Sequence, residues 1–206
     1  DADQLARLTA LGATRIRVTL DCGFDGEATS YNVIGEITGS RKPKDIVLMG
    51  GHLDSWDLGT GAIDDAAGIG ISMAAAHLLK PLKPARTLRV VAFANEEQGL
   101  WGGRAYAQAH AGEIARHVIA AESDLGAGRI YGFDTSAWEN AKDATAKIAE
   151  ALRPLGIEPM PGQGDPESDI GPMARQGMAW AWLGHDATRY FDLHHNADDT
   201  LDKIDP

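Results

Sequence analysis

Histidines and carboxylates follow the ends of several apolar segments in this sequence. Just past those segments, and at the start of an Ala-rich stretch, stand His52, Asp54, Asp64, Glu96, Glu97, Asp124, His194 and His195. Two carboxylates about 5 Å apart repel by roughly 3 kcal/mol at an effective dielectric constant of about 20, so several in one cleft need a proton or a cation. Imidazoles with carboxylates and no cysteine suit Zn²⁺, with Mn²⁺ or Co²⁺ as substitutes. The pattern therefore predicts a metal site.

The segments that must position these residues alternate between strand and helix patterns. Apolar or alternating runs predict strands over residues 15–20, 31–38, 46–50, 88–94, 117–121, 129–131 and 178–183. Helical patterns predict helices over residues 65–80, 100–109, 139–153 and 168–176, the last with Ser168 as N-cap and Gly177 as C-cap. This alternation predicts a three-layer α/β domain (αβα) with a mixed, largely parallel central sheet. Ligands of such sheets bind beyond the carboxyl ends of the strands, which is where the polar residues stand.

Length and charge limit the classes of function. At 206 residues the chain fits one domain with a sizeable core. The net charge of −11 argues against nucleic acid or an anionic membrane surface as a partner, and no apolar run is expected to span a membrane. The single cysteine, Cys22, excludes an intrachain disulfide and a cysteine zinc finger. The sequence contains no Gly-x-Ser-x-Gly segment, which disfavours a serine hydrolase.

Five blocks of this sequence resemble, in order, the signature segments of the co-catalytic di-zinc aminopeptidases and carboxypeptidases of metallopeptidase family twenty-eight. The blocks are GHLDSW (51–56), GAIDDAAG (61–68), NEEQGLWGG (95–103), ESDLG (122–126) and HHNADDT (194–200). The resemblance implies a zinc exopeptidase with a phosphorylase/hydrolase-like fold. It also implies that residues 1–206 are the catalytic domain of a longer protein, with an upstream segment and a protease-associated domain outside this sequence. It is in keeping with a secreted or periplasmic location, and it leaves a homodimer open.

Carried over position by position, the resemblance assigns two overlapping sets of metal ligands. One zinc ion would be held by His52, Asp64 and Asp124, and the other by Asp64, Glu97 and His195, so that Asp64 bridges the pair. In the family, the peptide bond after the bridging aspartate is often cis. We therefore expect a cis bond between Asp64 and Asp65.

The resemblance also assigns residues to the chemistry. Glu96 falls on the general-base position, where it would take a proton from a water bridging two zinc ions as that water attacks a peptide bond. Asp54 falls on the position of a carboxylate that orients the His52 ligand. His194 is the first candidate for stabilising the oxyanion, and Tyr190 is the second. The implied substrates are short peptides or dipeptides.

Two other functions remain open on the same fold. A glutaminyl cyclase-type acyltransferase would use a single zinc ion, which the full set of five ligands disfavours. A non-catalytic, receptor-like module would have lost its ligands, whereas all five are present in this sequence. For the pair Ser168 and Asp169, a helix cap and a substrate contact are both open.

Overall fold

The strands of this protein form one mixed sheet in a computed structural model that describes residues 2–205. Within that range the sheet contains β1 (Val33–Ile37), β2 (Lys42–His52), β3 (Arg86–Phe93), β4 (His117–Glu122), β5 (Ile130–Thr135), β6 (Glu158–Pro159) and β7 (Trp180–His185). Their order across the sheet is β1-β3-β2-β4-β7-β5-β6. The sequence order differs from the spatial order because helices connect most of the parallel strands.

Most neighbouring strands run parallel, as the sequence predicts. The pairs β2–β3, β2–β4, β4–β7 and β5–β6 are parallel, whereas β1–β3 and β5–β7 are antiparallel. In register, His52 of β2 lies beside Phe93 of β3, and Gly50 lies beside Glu122 of β4. The carboxyl ends of the three strands therefore meet at one edge of the sheet.

Helices connect the strands and cover the sheet. The α-helices are α1 (Ala2–Ala10), α2 (Ala67–Leu79), α3 (Trp101–Ala109), α4 (Lys142–Leu152) and α5 (Gly171–Ala174). A π-helical turn, Ala62–Ala66, precedes α2. Short 3₁₀ turns occupy Lys80–Leu82, Ala111–Arg116, Arg153–Leu155, Tyr190–Asp192 and Leu201–Lys203.

Two adjacent glycines of β2 show that helices lie on both faces of the sheet. Neighbouring residues of a strand point to opposite faces. A Cβ at Gly51 would lie 3.1 Å from the main-chain nitrogen of Ile69 in α2, whereas one at Gly50 would lie 2.9 Å from the Phe93 ring. That ring packs edge-to-face on Tyr106 of α3, with ring centroids 5.8 Å apart. The arrangement is therefore the expected αβα sandwich.

The main core lies between the central strands and the face covered by α3 and α5. Its buried members are Ile46, Leu48, Val91, Phe93, Tyr106, Ala107, Ala120, Ile170, Met173 and Met178. Burying each large apolar side chain contributes about 1.5–3 kcal/mol. Because half of these residues come from β2, β3 and β4 and pack against residues of α3 and α5, the core fixes the strand ends that carry the polar residues.

The structure corrects one predicted strand and two helix boundaries. Residues 15–20 form no strand: their side chains are exposed, and none of the described strands pairs with them, so alternation alone does not order them. The regular helix predicted from residue 65 begins at Ala67, because Asp64 and Asp65 have non-helical backbone angles. The helix predicted over residues 139–153 is the shorter α4.

The helix predicted over residues 168–176 is also shorter, and its predicted N-cap is wrong. The helix α5 spans Gly171–Ala174, and Ile170 precedes it without a side-chain cap. Ser168 instead donates its hydroxyl hydrogen bond to Glu96. Gly177 follows the helix with φ +96°, which suits the predicted C-terminal glycine.

One helical stretch has the length and apolar composition of a membrane span. Over Ala62–Leu82 the mean hydropathy reaches 1.2, contrary to the expectation from the sequence. Asp64 and Asp65 interrupt this stretch, and Ser72 of α2 donates a hydrogen bond to Gly50 O of the central strand. The apolar composition of this stretch is also typical of a helix that is packed against a sheet.

The buried carboxylate of Asp134 ties the loop after β6 to the sheet. Its Oδ2 accepts hydrogen bonds from the main-chain N–H groups of Gln163 and Gly164 at 3.0 and 2.9 Å. Its Oδ1 accepts bonds from Thr135 N and Trp138 Nε1 at 2.7 and 2.6 Å. Burial favours the protonated form, but these donors outweigh it and hold the pKa of Asp134 below its usual 3.8.

We expect Asp134→Asn to lower the free energy of unfolding at about pH 7 by about 3 kcal/mol, since an amide NH₂ would face N–H donors. A lowered pKa in the folded state means that the ionised carboxylate stabilises the fold above 3.8. That contribution disappears as the pH falls through the folded-state pKa. Urea unfolding of both proteins should therefore show a smaller difference at about pH 3 than at about pH 7. An equal difference at both pH values would contradict this role.

Candidate metal centre

The polar residues predicted from the sequence converge at the carboxyl edge of the central strands. His52 is the last residue of β2, Glu96 and Glu97 lie in the turn after β3, and Asp124 follows β4. Asp64 lies in the π-helical turn before α2. The loop after Tyr190–Asp192 supplies His194 and His195.

His52 forms one half of the site with two carboxylates. Its Nε2 lies 3.0 Å from Asp64 Oδ1 and 3.3 Å from Asp124 Oδ1. The His52 side chain is only 1% exposed. One ring nitrogen carries at most one proton, so it cannot donate fully to both carboxylates. The arrangement therefore leaves negative charge uncompensated in a buried place.

His195 forms the other half with Glu97 and the second oxygen of Asp64. Its Nε2 lies 2.9 Å from Glu97 Oε2 and 3.3 Å from Asp64 Oδ2. The two oxygens of Asp64 thus face two different imidazoles. This is the geometry that a bridging carboxylate requires.

The backbone around Asp64 explains how a buried turn presents this carboxylate. The Asp64–Asp65 peptide bond is cis, as expected, and Gly61 before it has φ +66°. The Asp65 carboxylate accepts hydrogen bonds from His52 N at 3.0 Å and from Gly68 N at 3.1 Å. Residue 68 must be glycine because a Cβ there would lie 1.7 Å from Ser123 O. Asp65 therefore fixes the turn to the end of β2.

Asp54 holds the turn that carries the twin glutamates. Its two carboxylate oxygens accept hydrogen bonds from Glu96 N at 2.9 Å and Glu97 N at 3.2 Å. The His52 ring lies closer to the main chain of this residue: Nδ1 is 2.8 Å from Asp54 O and 3.8 Å from Asp54 Oδ1. The predicted contact to His52 thus comes mainly from the carbonyl, while the carboxylate positions the glutamates.

His194 and Tyr190 line the same cleft next to His195. The His194 ring stacks on that of His195, with centroids 3.5 Å apart, and its Nε2 lies 3.5 Å from Asp64 Oδ2. Tyr190 is buried, and its pKa is raised by burial and by the charge of Asp64. Trp56 packs against the other imidazole, with its ring 5.3 Å from that of His195. The sequence had assigned no role to this tryptophan, and it had named Asp65 only beside Asp64 and in the expected cis bond.

The pKa values show the electrostatic cost of the arrangement. Burial and the charge of Asp64 raise the pKa of Glu97 to about 7. Burial and the charge of Asp124 raise the pKa of Glu96. For His52, burial favours the neutral form, but hydrogen bonds to Asp124 and Asp64 outweigh it and raise the pKa to about 12. The carboxylates therefore hold protons or attract cations.

Unpaired buried oxygens test whether a cation suits the site. Glu97 Oε1 is buried and has no hydrogen-bond partner among the residues described, and the buried Asp124 Oδ1 competes with Asp64 for the single proton of His52 Nε2. Leaving such a group without a partner costs about 1–3 kcal/mol, and more when it is charged. Ligand atoms of His52, Asp64 and Glu97 lie within 4.8 Å of one another, as do those of Asp64, His194 and His195. A metal ion with nitrogen and oxygen ligands fits this donor set.

The site opens into a cleft of about 460 Å³. It is lined by Asp64, Glu96, Glu97, Gly99, Asp124, Leu125, Glu167, Ser168, Tyr190, Phe191, His194 and His195. The cleft is large enough for a short peptide segment beside the candidate metal ligands.

The sequence matches the family model described as peptidase family M28 over residues 32–206. The chain belongs to peptidase family M28. This confirms the family that the five sequence blocks predict. A curated relative, carboxypeptidase Q of Bos taurus, is 38% identical over 210 residues, covering 100% of this chain and 44% of that protein. Carboxypeptidase Q of Homo sapiens is 37% identical with the same coverage. The chain thus spans less than half the length of these M28 relatives.

Solved structures of M28 peptidases have the same fold. The peptidase M28 precursor from Shewanella amazonensis SB2B is 49% identical with a TM-score of 0.83, covering 88% of this chain and 41% of that one. An aminopeptidase from Aneurinibacillus sp. strain AM-1 is 30% identical with a TM-score of 0.67, covering 84% and 43%. The predicted α/β architecture is therefore that of the family.

Proposed function

We propose that this chain carries the catalytic site of a zinc-dependent exopeptidase that hydrolyses short peptides or dipeptides. The observation that carries the proposal is Asp64, whose two carboxylate oxygens face the imidazoles of His52 and His195. Membership of peptidase family M28 supports peptide hydrolysis, and the names of its relatives include carboxypeptidases and aminopeptidases.

Five residues would hold two zinc ions at this site. His52 and Asp124 would serve one position, Glu97 and His195 the other, and Asp64 both. Two zinc ions so bound would lower the pKa of a water molecule and polarise the scissile carbonyl group. The unpaired Glu97 Oε1, and the buried Asp124 Oδ1 that competes with Asp64 for one His52 proton, support this division.

Glu96 would act as the general base. Its side chain accepts the Ser168 hydroxyl hydrogen bond, and its N–H donates to Asp54, so both ends of the residue are held. It would take a proton from the attacking water and pass it to the nitrogen of the leaving amine. The raised pKa of Glu96 brings this carboxylate closer to the range in which a base returns its proton.

His194 would stabilise the negative charge that develops on the carbonyl oxygen. It lines the cleft beside Asp64, and its side chain remains 29% exposed, so a substrate can reach it. Tyr190 remains the second candidate, since it lines the same cleft but is buried.

The setting of the domain belongs to the same proposal. Coverage of 44% of carboxypeptidase Q supports the view that residues 1–206 are the catalytic portion of a longer protein. The description of the Shewanella relative as a precursor supports a secreted or periplasmic location. A homodimer and a protease-associated domain remain part of the proposal.

Metal analysis of the folded protein is the direct test. We expect the chelator-treated protein to take up about two zinc ions per chain, and its dipeptidase activity to return with them. Titration with Zn²⁺ during hydrolysis of a dipeptide library measures both at once. Uptake of one ion with acyl transfer instead of hydrolysis would favour the glutaminyl cyclase-type alternative. No uptake by a folded preparation would overturn the proposal.

A further inference from the structure

A buried carboxylate outside the ligand set holds the backbone of Asp64. Asp199 is only 3% exposed. Its Oδ1 accepts a hydrogen bond from Ile63 N at 2.6 Å, and its Oδ2 accepts one from Asp64 N at 3.2 Å. Both oxygens are therefore committed to the turn that presents the bridging carboxylate, from a position 135 residues away in the chain.

The main chain of Asp199 strengthens the same connection. Its carbonyl oxygen accepts hydrogen bonds from Thr60 N at 2.8 Å and from Thr60 Oγ1 at 3.1 Å. The loops touch so closely that a Cβ on Gly59 would lie 2.6 Å from Asn196 O. The loop that carries His195 is thus joined to the turn that carries Asp64.

The two halves of the metal centre are positioned by different carboxylates. Asp65 fixes the Asp64 turn to His52, because its Oδ2 accepts the His52 N–H at 3.0 Å. His52 itself lies at the end of a buried strand. His195, by contrast, lies on a loop with φ +59°, and its side chain is 36% exposed. Asp199 provides the connection between His195 and Asp64.

We propose that Asp199 is a positioning residue that sets the separation of Asp64 and His195, and with it the affinity of the metal position that Glu97 and His195 would form. This inference rests on the proposed function, since it requires that the site bind metal. It assigns Asp199 no contact with substrate. The other metal position, at His52 and Asp124, keeps its geometry through Asp65.

The test compares Asp199→Asn with Asp198→Asn as a matched control. Both remove one negative charge from the same loop, but Asp198 is exposed and its side chain holds neither the Asp64 turn nor a ligand. Stepwise zinc affinities, measured against a competing chelator, should show one of the two sites of Asp199→Asn weakened by about 10–100-fold, as when a partner of a ligand is lost. The affinity of the other site of Asp199→Asn and of both sites of Asp198→Asn should be unchanged.

A double-mutant cycle separates positioning from general damage. In the His195→Ala background the metal position that Glu97 and His195 would form, the second position, is already lost. Asp199→Asn should therefore leave the zinc affinity of the remaining position unchanged. Cobalt absorption of the Co²⁺-loaded proteins provides a second readout of the geometry at each position. Equal weakening of both positions, or a further loss in the His195→Ala background, would overturn the inference.

Two controls keep the test decisive. Should Asp199→Asn fail to fold, Thr60→Val removes only the hydroxyl bond to Asp199 O and should weaken the second position by about threefold, as loss of one hydrogen bond implies. Unchanged affinity in Thr60→Val would then count against the inference. The wild-type protein, measured in parallel, separates the two proposals. If the wild type binds no metal, the proposed function fails. If the wild type and Asp199→Asn bind two ions with equal affinity, only the role of Asp199 is wrong.

Discussion

Glu96→Gln is expected to keep both zinc ions and to lose turnover by about 10²–10⁴-fold. Glutamine has nearly the same shape, so the hydrogen bond from Ser168 and the N–H bond to Asp54 can persist. It cannot accept a proton from water, however. Neither imidazole of the predicted ligand set has an ion-pair contact with Glu96, which is why metal binding should survive. Zinc analysis and kcat for a dipeptide measure the two effects separately.

Glu97→Gln is the matched control for this prediction. The adjacent residue has the same chemistry and the same support from Asp54, yet its Oε2 lies 2.9 Å from His195 Nε2. Its substitution should weaken zinc binding first and reduce turnover through that loss, so excess zinc should restore part of the activity. Excess zinc should restore none of the lost activity in Glu96→Gln. Full activity of Glu96→Gln would show that another group is the base.

Apolar runs predicted the position of the site because the physics of a buried parallel sheet leaves few choices. A strand covered on both faces must be apolar along its length, so the first polar residue marks its end. This reasoning located His52 at the end of β2, Glu96 after β3 and Asp124 after β4. The ends of adjacent parallel strands share an edge, which brings residues distant in sequence into one cleft.

Local patterns failed where a tertiary contact decides the structure. Residues 15–20 alternate like a strand, but none of the described strands pairs with them, and a single unpaired strand is not stable. Ser168 resembles a helix cap, but its hydroxyl bonds to Glu96 from a different part of the chain. A serine hydroxyl can accept a main-chain N–H bond as a helix cap or donate to a distant carboxylate, so sequence alone does not distinguish the two roles.

The carboxylates that position the ligands were harder to predict than the ligands. Asp65 and Asp199 lie outside the predicted ligand set, and their oxygens accept hydrogen bonds from the main-chain N–H groups of His52, Ile63 and Asp64. Such partners carry no residue-type signature, because every residue except proline has an N–H group. Only the three-dimensional arrangement separates them from the surface aspartates of the same loops.

Asp64→Ala is expected to abolish both metal positions, and activity with them. The Asp64 carboxylate is the one side chain among the predicted ligands that faces both imidazoles, at 3.0 Å from His52 Nε2 and 3.3 Å from His195 Nε2. Removing it leaves each remaining pair, His52 with Asp124 and His195 with Glu97, one ligand short of the three that a catalytic zinc site uses. We expect the zinc content to fall from about two ions per chain to well below about one at micromolar free zinc.

Glu97→Ala and Asp124→Ala are the comparison variants, since each removes a ligand from one position only. They should retain about one zinc ion per chain, because Asp64 and the opposite imidazole remain in place. Circular dichroism of the metal-free proteins checks that all three variants fold. If Asp64→Ala retains one ion, as Glu97→Ala should, then Asp64 serves a single position and the site does not share a bridging carboxylate. If all three variants lose both ions alike, the two positions depend on each other so strongly that neither forms alone.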